Sequence, residues 1–205
     1  MAKDARELLI FDLGGVLLEY SGIRDIHGVL SEQLTLERTR QLMQATSEIW
    51  SSFETGMLTP EEFGERFEAH WPLGVPRDVF LREFESWSRA LYPGAAELLE
   101  ELRAAYRLAA LSNTNALHWR RNREVLGIPQ LFERAFASHE VGLRKPAPEV
   151  YEHVLAEMGV RAADATFFDD VETNVEAARR VGMRAYRVEG VEALRACLRE
   201  NGYLP

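Results

Sequence analysis

One pattern constrains the fold of this chain more than any other: short apolar runs that stop abruptly at polar residues or glycine, and that recur along the sequence. Residues 8–13, interrupted only by Asp12, stop at Gly14-Gly15; residues 108–111 stop at Ser112-Asn113, 165–168 at Asp169-Asp170, and 184–188 at Glu189-Gly190. A weaker fifth run covers 135–138. Runs of this length bounded by turn residues read as strands buried on both faces. Helical patterns fall between them, over 95–105, 116–126, 148–158 and 173–181, with a last one over 191–201. Strands alternating with helices predict an α/β fold, a doubly wound parallel sheet with helices on both faces.

Residues 19–87 break this rhythm. They contain no convincing strand and are filled with helical segments punctuated by Gly56, Pro60, Pro72, Gly74 and Pro76. The expectation is a core domain made of residues 1–18 and 89–205, with an α-helical cap domain inserted over 19–88. The insert's aromatics, Trp50, Phe53, Phe63, Phe67, Trp71, Phe80, Phe84 and Trp87, read first as a small core of their own and second as a substrate-contacting stripe.

Composition bounds the function. A formal charge of −9 and the lack of a Lys/Arg-rich block argue against a nucleic-acid partner. A single cysteine, Cys197, forbids an intrachain disulfide and suits a reducing cytoplasm; it sits in a helical pattern and reads as structural. The apolar run near the start is too short for a signal sequence and carries an acid, and no stretch approaches the roughly twenty apolar residues of a membrane span. The chain is expected to be cytoplasmic, monomeric or homodimeric, and to take a small-molecule partner.

Ligands of an open parallel sheet sit beyond the carboxyl ends of the strands. Those ends carry Asp12, Ser112-Asn113 and Asp169-Asp170, and Lys145 lies on a loop just before another helix. Taken singly, an acid after a strand is often a turn residue or helix cap, and a lysine is usually solvated. Jointly they form a set for holding a cation and an anion, because Mg2+ is bound by one or two carboxylates together with a substrate phosphate. Asp12 with Asp169 or Asp170 supplies the carboxylates, and Ser112 offers a hydroxyl to a phosphate oxygen.

Four motifs in order, FDLGGVL around Asp12, LSNTN with Ser112, GLRKPAPEVY with Lys145 and FFDDVETN with Asp169 and Asp170, resemble the haloacid dehalogenase-like superfamily in its helical-cap branch. The first motif is similar to that of bacterial sugar-phosphate phosphatases. The resemblance implies a Mg2+-dependent phosphatase in which Asp12 forms an aspartyl-phosphate. It implies metal ligation by Asp12, the Gly14 carbonyl and Asp170, supported by Asp169 and Asn174. Ser112, Asn113 and Lys145 would bind the transferring phosphoryl group. One departure stands out: the family's DxD pattern supplies a general acid at the second Asp, and this chain has Gly14 there. Glu19 is the nearest substitute in sequence. A metal-independent dehalogenase and a catalytically impaired phosphate-binding regulator are the competing readings.

Overall fold

The computed structural model describes residues 6–205; the start of the expected core segment, and of the stretch read against a signal sequence, lies outside the described residues. Chain order is β1 (Leu8–Phe11), β2 (Leu18–Tyr20), α1 (Leu36–Ala45), α2 (Ser47–Glu54), α3 (Pro60–Glu68), α4 (Arg77–Glu85), β3 (Ser88–Leu91), α5 (Ala95–Arg103), β4 (Arg107–Ser112), α6 (Ala116–Glu124), β5 (Arg134–Ala137), α7 (Ser138–Val141), α8 (Pro148–Met158), β6 (Ala165–Asp169), α9 (Glu172–Val181), β7 (Arg184–Arg187) and α10 (Gly190–Glu200).

Five of the strands form one parallel sheet in the order β5-β4-β1-β6-β7. β1 sits at the centre because both its faces are apolar: Leu9 and Phe11 point into one core, Leu8 and Ile10 into the other. Period-two alternation thus feeds two layers from one strand. On the first face lie Leu98, Leu99 and Leu102 of α5 with Leu194 and Leu198 of α10; on the second lie Val150, Tyr151 and Val154 of α8 with Val175, Ala177 and Ala178 of α9. Cys197 packs partly buried against the first core, in keeping with a structural part. The doubly wound α/β architecture expected from the sequence is present. Among the described residues no helix is long and apolar enough to cross a membrane.

Between β1 and α5 the chain leaves the sheet and builds a helical insertion. Its aromatics do form a core of their own, in which Phe53, Phe63, Phe67, Trp71, Phe80, Phe84 and Trp87 are all at most 1% exposed. α3 starts with a capping box between Thr59 and Glu62 and with Pro60 in its first turn, where the missing N–H costs nothing. One expectation fails. Residues 19–87 were to be free of strand, yet β2 takes in Glu19 and Tyr20 and pairs antiparallel with β3, forming a ribbon that carries the chain out and back. Three or four residues with a shifted register give no usable periodicity. Position 138 was likewise read as the end of a strand, but Ser138 opens α7.

Candidate active site

The carboxyl ends of β1, β4 and β6 converge on a cavity of about 410 Å³. Asp12 follows β1, is 8% exposed, and is fixed by its N–H donating to Phe168 O at 2.8 Å. Lys145, 2% exposed, reaches in from the loop before α8, its Nζ 2.8 Å from Asp12 Oδ1 and 2.7 Å from Asp169 Oδ2. Asp169 ends β6 and is fully buried. Its Oδ1 accepts from Val171 N (2.8 Å) and Asn174 Nδ2 (3.0 Å), and Oδ2 takes Lys145 Nζ and a longer contact from Asn174. With its acceptor sites occupied, Asp169 orients Lys145 and the first turn of α9. Asp170, one residue on, faces the cavity.

Carboxylate oxygens of Asp12, Asp169 and Asp170 lie within 4.8 Å of one another. Burial pushes the Asp12 carboxyl up to about 7, with Lys145 pulling against it and Asp169 adding to it. Burial followed by the Asp169 charge also raises Asp170. For Lys145, burial acts to lower the pKa, but the Asp12 and Asp169 carboxylates outweigh it and hold the ammonium above its ordinary value. Three acids face one lysine, and the deficit is one that a hard cation with oxygen ligands fits.

The glycine pair shapes this cluster. Gly15 has φ +76°, and a Cβ there would lie 2.5 Å from Asp170 Oδ2. Its carbonyl accepts from Gly190 N at 2.7 Å, tying the loop after β1 to the start of α10. Gly14 is not in the left-handed region; a Cβ there would meet Tyr20 Cβ at an ordinary 3.7 Å. Both glycines line the cavity.

Ser112 ends β4 and lines the cavity. Asn113 also lines the cavity; its side chain aligns the lysine, Nδ2 donating to Lys145 O and Oδ1 accepting from Lys145 N, both at 2.9 Å. Glu19 is not among the cavity residues. Strand alternation in β2 turns Leu18 and Tyr20 to the cavity and leaves Glu19 exposed, so the substitute acid nearest in sequence lies outside the cavity wall.

Several cavity residues were missed. Glu54 arrives from the C-terminal end of α2, Arg144 precedes Lys145, and His118 projects from α6. His118 is buried and neutral: Nε2 donates to Phe84 O at 2.7 Å and Nδ1 accepts from Asn115 at 2.9 Å, and burial pushes its pKa down to about 4. Arg144 adjoins a recognised lysine and could have been suspected; Glu54 has no local signal at all. A larger cavity of about 570 Å³ lies beside the start of β4, where Arg107 pairs with Glu133, and it holds none of the carboxylate cluster.

The sequence model of the haloacid dehalogenase-like hydrolases matches residues 7–182. Sesquiterpene phosphatase astK of Aspergillus oryzae is 33% identical over 177 residues, spanning 85% of each chain. D-ribitol-5-phosphate phosphatase of Bacteroides thetaiotaomicron is 22% identical, spanning 88% of this chain and 91% of its own. The crystal structure of a haloacid dehalogenase family enzyme from Bacteroides thetaiotaomicron, in complex with magnesium and inorganic phosphate, superposes with a TM-score of 0.72 at 26% identity, covering 90% of this chain and 94% of that one.

Proposed function

The chain belongs to the haloacid dehalogenase-like hydrolases, and we propose that it is a magnesium-dependent phosphatase of small, polar phosphate monoesters, sugar or polyol phosphates foremost, working through an aspartyl-phosphate on Asp12. The observation that carries this reading is the contact of a buried lysine with both Asp12 and Asp169 beside Asp170, at the floor of a cavity large enough for a small metabolite.

Asp12, the Gly14 carbonyl and Asp170 would hold Mg2+, which supplies charge neutralisation for the phosphate and the attacking carboxylate. The chain's own residues supply the rest. Asp12 Oδ attacks phosphorus, the ester oxygen departs in line with it, and water later attacks the phosphorus of the aspartyl-phosphate to release inorganic phosphate. Lys145 draws the anionic substrate towards an anionic nucleophile that would otherwise repel it. Asp169, Asn174 and Asn113 keep that ammonium in place. Ser112 donates its hydroxyl to a phosphoryl oxygen. The helical insertion, residues 19–88, acts as a cap that excludes water and selects the substrate.

The cavity wall favours a polar substrate. Tyr20, Glu54, Asn115, His118, Asn122 and Arg144 all line it, an uncongenial surface for an isoprenoid chain and a suitable one for hydroxyls. The carboxylate cluster weighs against a metal-independent dehalogenase, since halide displacement has no use for a third acid. Retention of both Asp12 and Lys145 weighs against a purely regulatory role. The test is a Mg2+-dependent assay over sugar, polyol, nucleoside and isoprenyl monophosphates, with EDTA and Asp12→Asn as controls. Turnover of polyol or sugar phosphates that EDTA abolishes is expected. Preference for isoprenyl phosphate would overturn the substrate class, and metal-independent turnover would overturn the mechanism.

A further inference from the structure

We infer that Glu54, delivered from the helical insertion, is the group that protonates the departing ester oxygen and then takes the proton from the attacking water. This rests on the phosphatase reading above and adds the one chemical component which that reading leaves unassigned.

The argument begins with direction. In an in-line displacement the leaving oxygen departs opposite the nucleophile. Asp12 sits on the sheet side of the cavity, so the leaving oxygen emerges towards the insertion. Glu54 is the last residue of α2 and lines the cavity from that side, its side chain 22% exposed. Its position is tightly specified. Ser138 Oγ donates to Glu54 O at 2.5 Å while bonding the Thr114 backbone on the core, and Arg144 Nη2 lies 2.9 Å from Glu54 Oε2. Two residues on, Gly56 has φ +74°, and a Cβ there would stand 2.3 Å from His139 O. Only glycine lets the insertion approach the core this closely.

Next comes elimination among the cavity residues. Asp12 is the nucleophile and Asp170 is assigned to the metal. Asp169 is saturated. His118 has both ring nitrogens engaged. Burial and the Glu54 charge push the Tyr20 phenol above its ordinary value, which makes it a poor donor at neutral pH. Tyr92 packs against the first core, Arg24 donates to the Ser21 and Tyr20 carbonyls, Lys145 is held between Asp12 and Asp169, and Arg144 is ion-paired with Glu54 itself. Glu189 is exposed and belongs to the core, preceding α10 beside Asp170 rather than arriving from the insertion. Glu54 remains, and burial raises its carboxyl above the usual carboxylate range, with Arg144 and then Lys145 pulling against that. The Arg144 Nη2–Glu54 Oε2 ion pair lacks hydrogen-bonding geometry, so that Oε2, like Arg144 Nε, makes no hydrogen bond among the described residues and faces the cavity with its bonding capacity unused.

The proton balance closes. As the P–O(ester) bond breaks and the Asp12–phosphorus bond forms, the Glu54 proton goes to the leaving oxygen, releasing a neutral alcohol. The Glu54 carboxylate then accepts a proton from water as the water oxygen bonds phosphorus and the Asp12–O–P bond breaks.

The experiment compares kcat/KM of wild type, Glu54→Gln and Glu54→Asp over phosphate monoesters graded by leaving-group pKa, from nitrophenyl to simple alkyl, in Mg2+. Glu54→Gln should lose roughly a hundredfold to ten-thousandfold on alkyl phosphates and far less on nitrophenyl phosphate, because an activated leaving group needs little protonation. Glu54→Asp, which keeps an acid, should restore part of the alkyl activity. Equal losses across the series in a variant whose circular dichroism matches wild type, or no losses, would overturn the assignment, since a latch between insertion and core would not discriminate leaving groups. A misfolded Gln variant would reveal itself by losing the nitrophenyl activity too, and the Asp variant then decides by its slope. If wild type hydrolyses no ester while Asp12→Asn is equally inert, it is the phosphatase reading that fails; an active wild type with an unaltered slope in the Glu54 variants refutes only the proton donor.

Discussion

Adding one methyl group at position 15 should do more damage than most deletions of whole side chains nearby. Gly15 lies at φ +76°, and its added Cβ would fall 2.5 Å from Asp170 Oδ2 and 2.8 Å from Asp170 Cγ. The left-handed conformation costs an L-residue roughly 1–2 kcal/mol. For a chain of 205 residues that corresponds to a melting temperature lower by about 2–8 °C, at 2–4 °C per kcal/mol. The overlap is relieved most cheaply by swinging the Asp170 carboxylate away from Asp12, which dismantles the proposed cation site without removing a ligand. Gly15→Ala should therefore raise the Mg2+ concentration giving half-maximal turnover by about 10–100-fold, the range seen when the supports of metal ligands are disturbed. Gly14→Ala is the matched control, because its backbone is outside the left-handed region and its Cβ meets Tyr20 at 3.7 Å. Thermal melts and Mg2+ titrations of the two variants check this. A Gly15→Ala protein with wild-type melting and wild-type Mg2+ response would refute the placement of Asp170 on which the cation argument depends.

Asn113→Ala removes both hydrogen bonds that align the Lys145 backbone and should lower kcat/KM by about a hundredfold, the usual penalty for a misplacement near 1 Å; weaker inhibition by vanadate would accompany it, and unaltered kinetics would show that the lysine needs no such clamp. His118 supplies a pH dependence of stability. Its folded pKa of about 4 lies below the ordinary imidazole value of 6.5, so the stability it contributes is present above pH 6.5 and is lost as pH falls towards 4. The full difference is about 3 kcal/mol at about 1.4 kcal/mol per unit. Urea unfolding of wild type and His118→Gln between pH 7 and 4 should show the two stabilities converging by most of that amount, and parallel curves would contradict the buried neutral imidazole.

Much of this was legible in the sequence because it is written locally. The apolar runs ending at Asp12, Ser112 and Asp169 specify buried parallel strands, and in such a sheet their ends must converge, so the acids, the serine and Lys145 can be gathered from the sequence pattern alone. What stayed illegible depends on contacts distant in sequence. The β2–β3 ribbon joins segments nearly seventy residues apart with three or four residues each. That Asn113 aligns the Lys145 backbone depends on where the loop before α8 lies. Glu19 looked available because it is close to Asp12 along the chain, while Glu54, more than forty residues away, is brought into the cavity by Gly56 and Ser138.

The central claim is that Asp12 carries the phosphoryl group, and acid-quenching the enzyme during turnover of a labelled phosphate ester tests it most directly. The account predicts protein-bound phosphate at up to one equivalent, released by hydroxylamine as an acyl phosphate must be, mapped by mass spectrometry to the peptide containing Asp12, and missing from Asp12→Asn. Steady turnover with no label trapped at any quench time, or label on a residue other than Asp12, would contradict it.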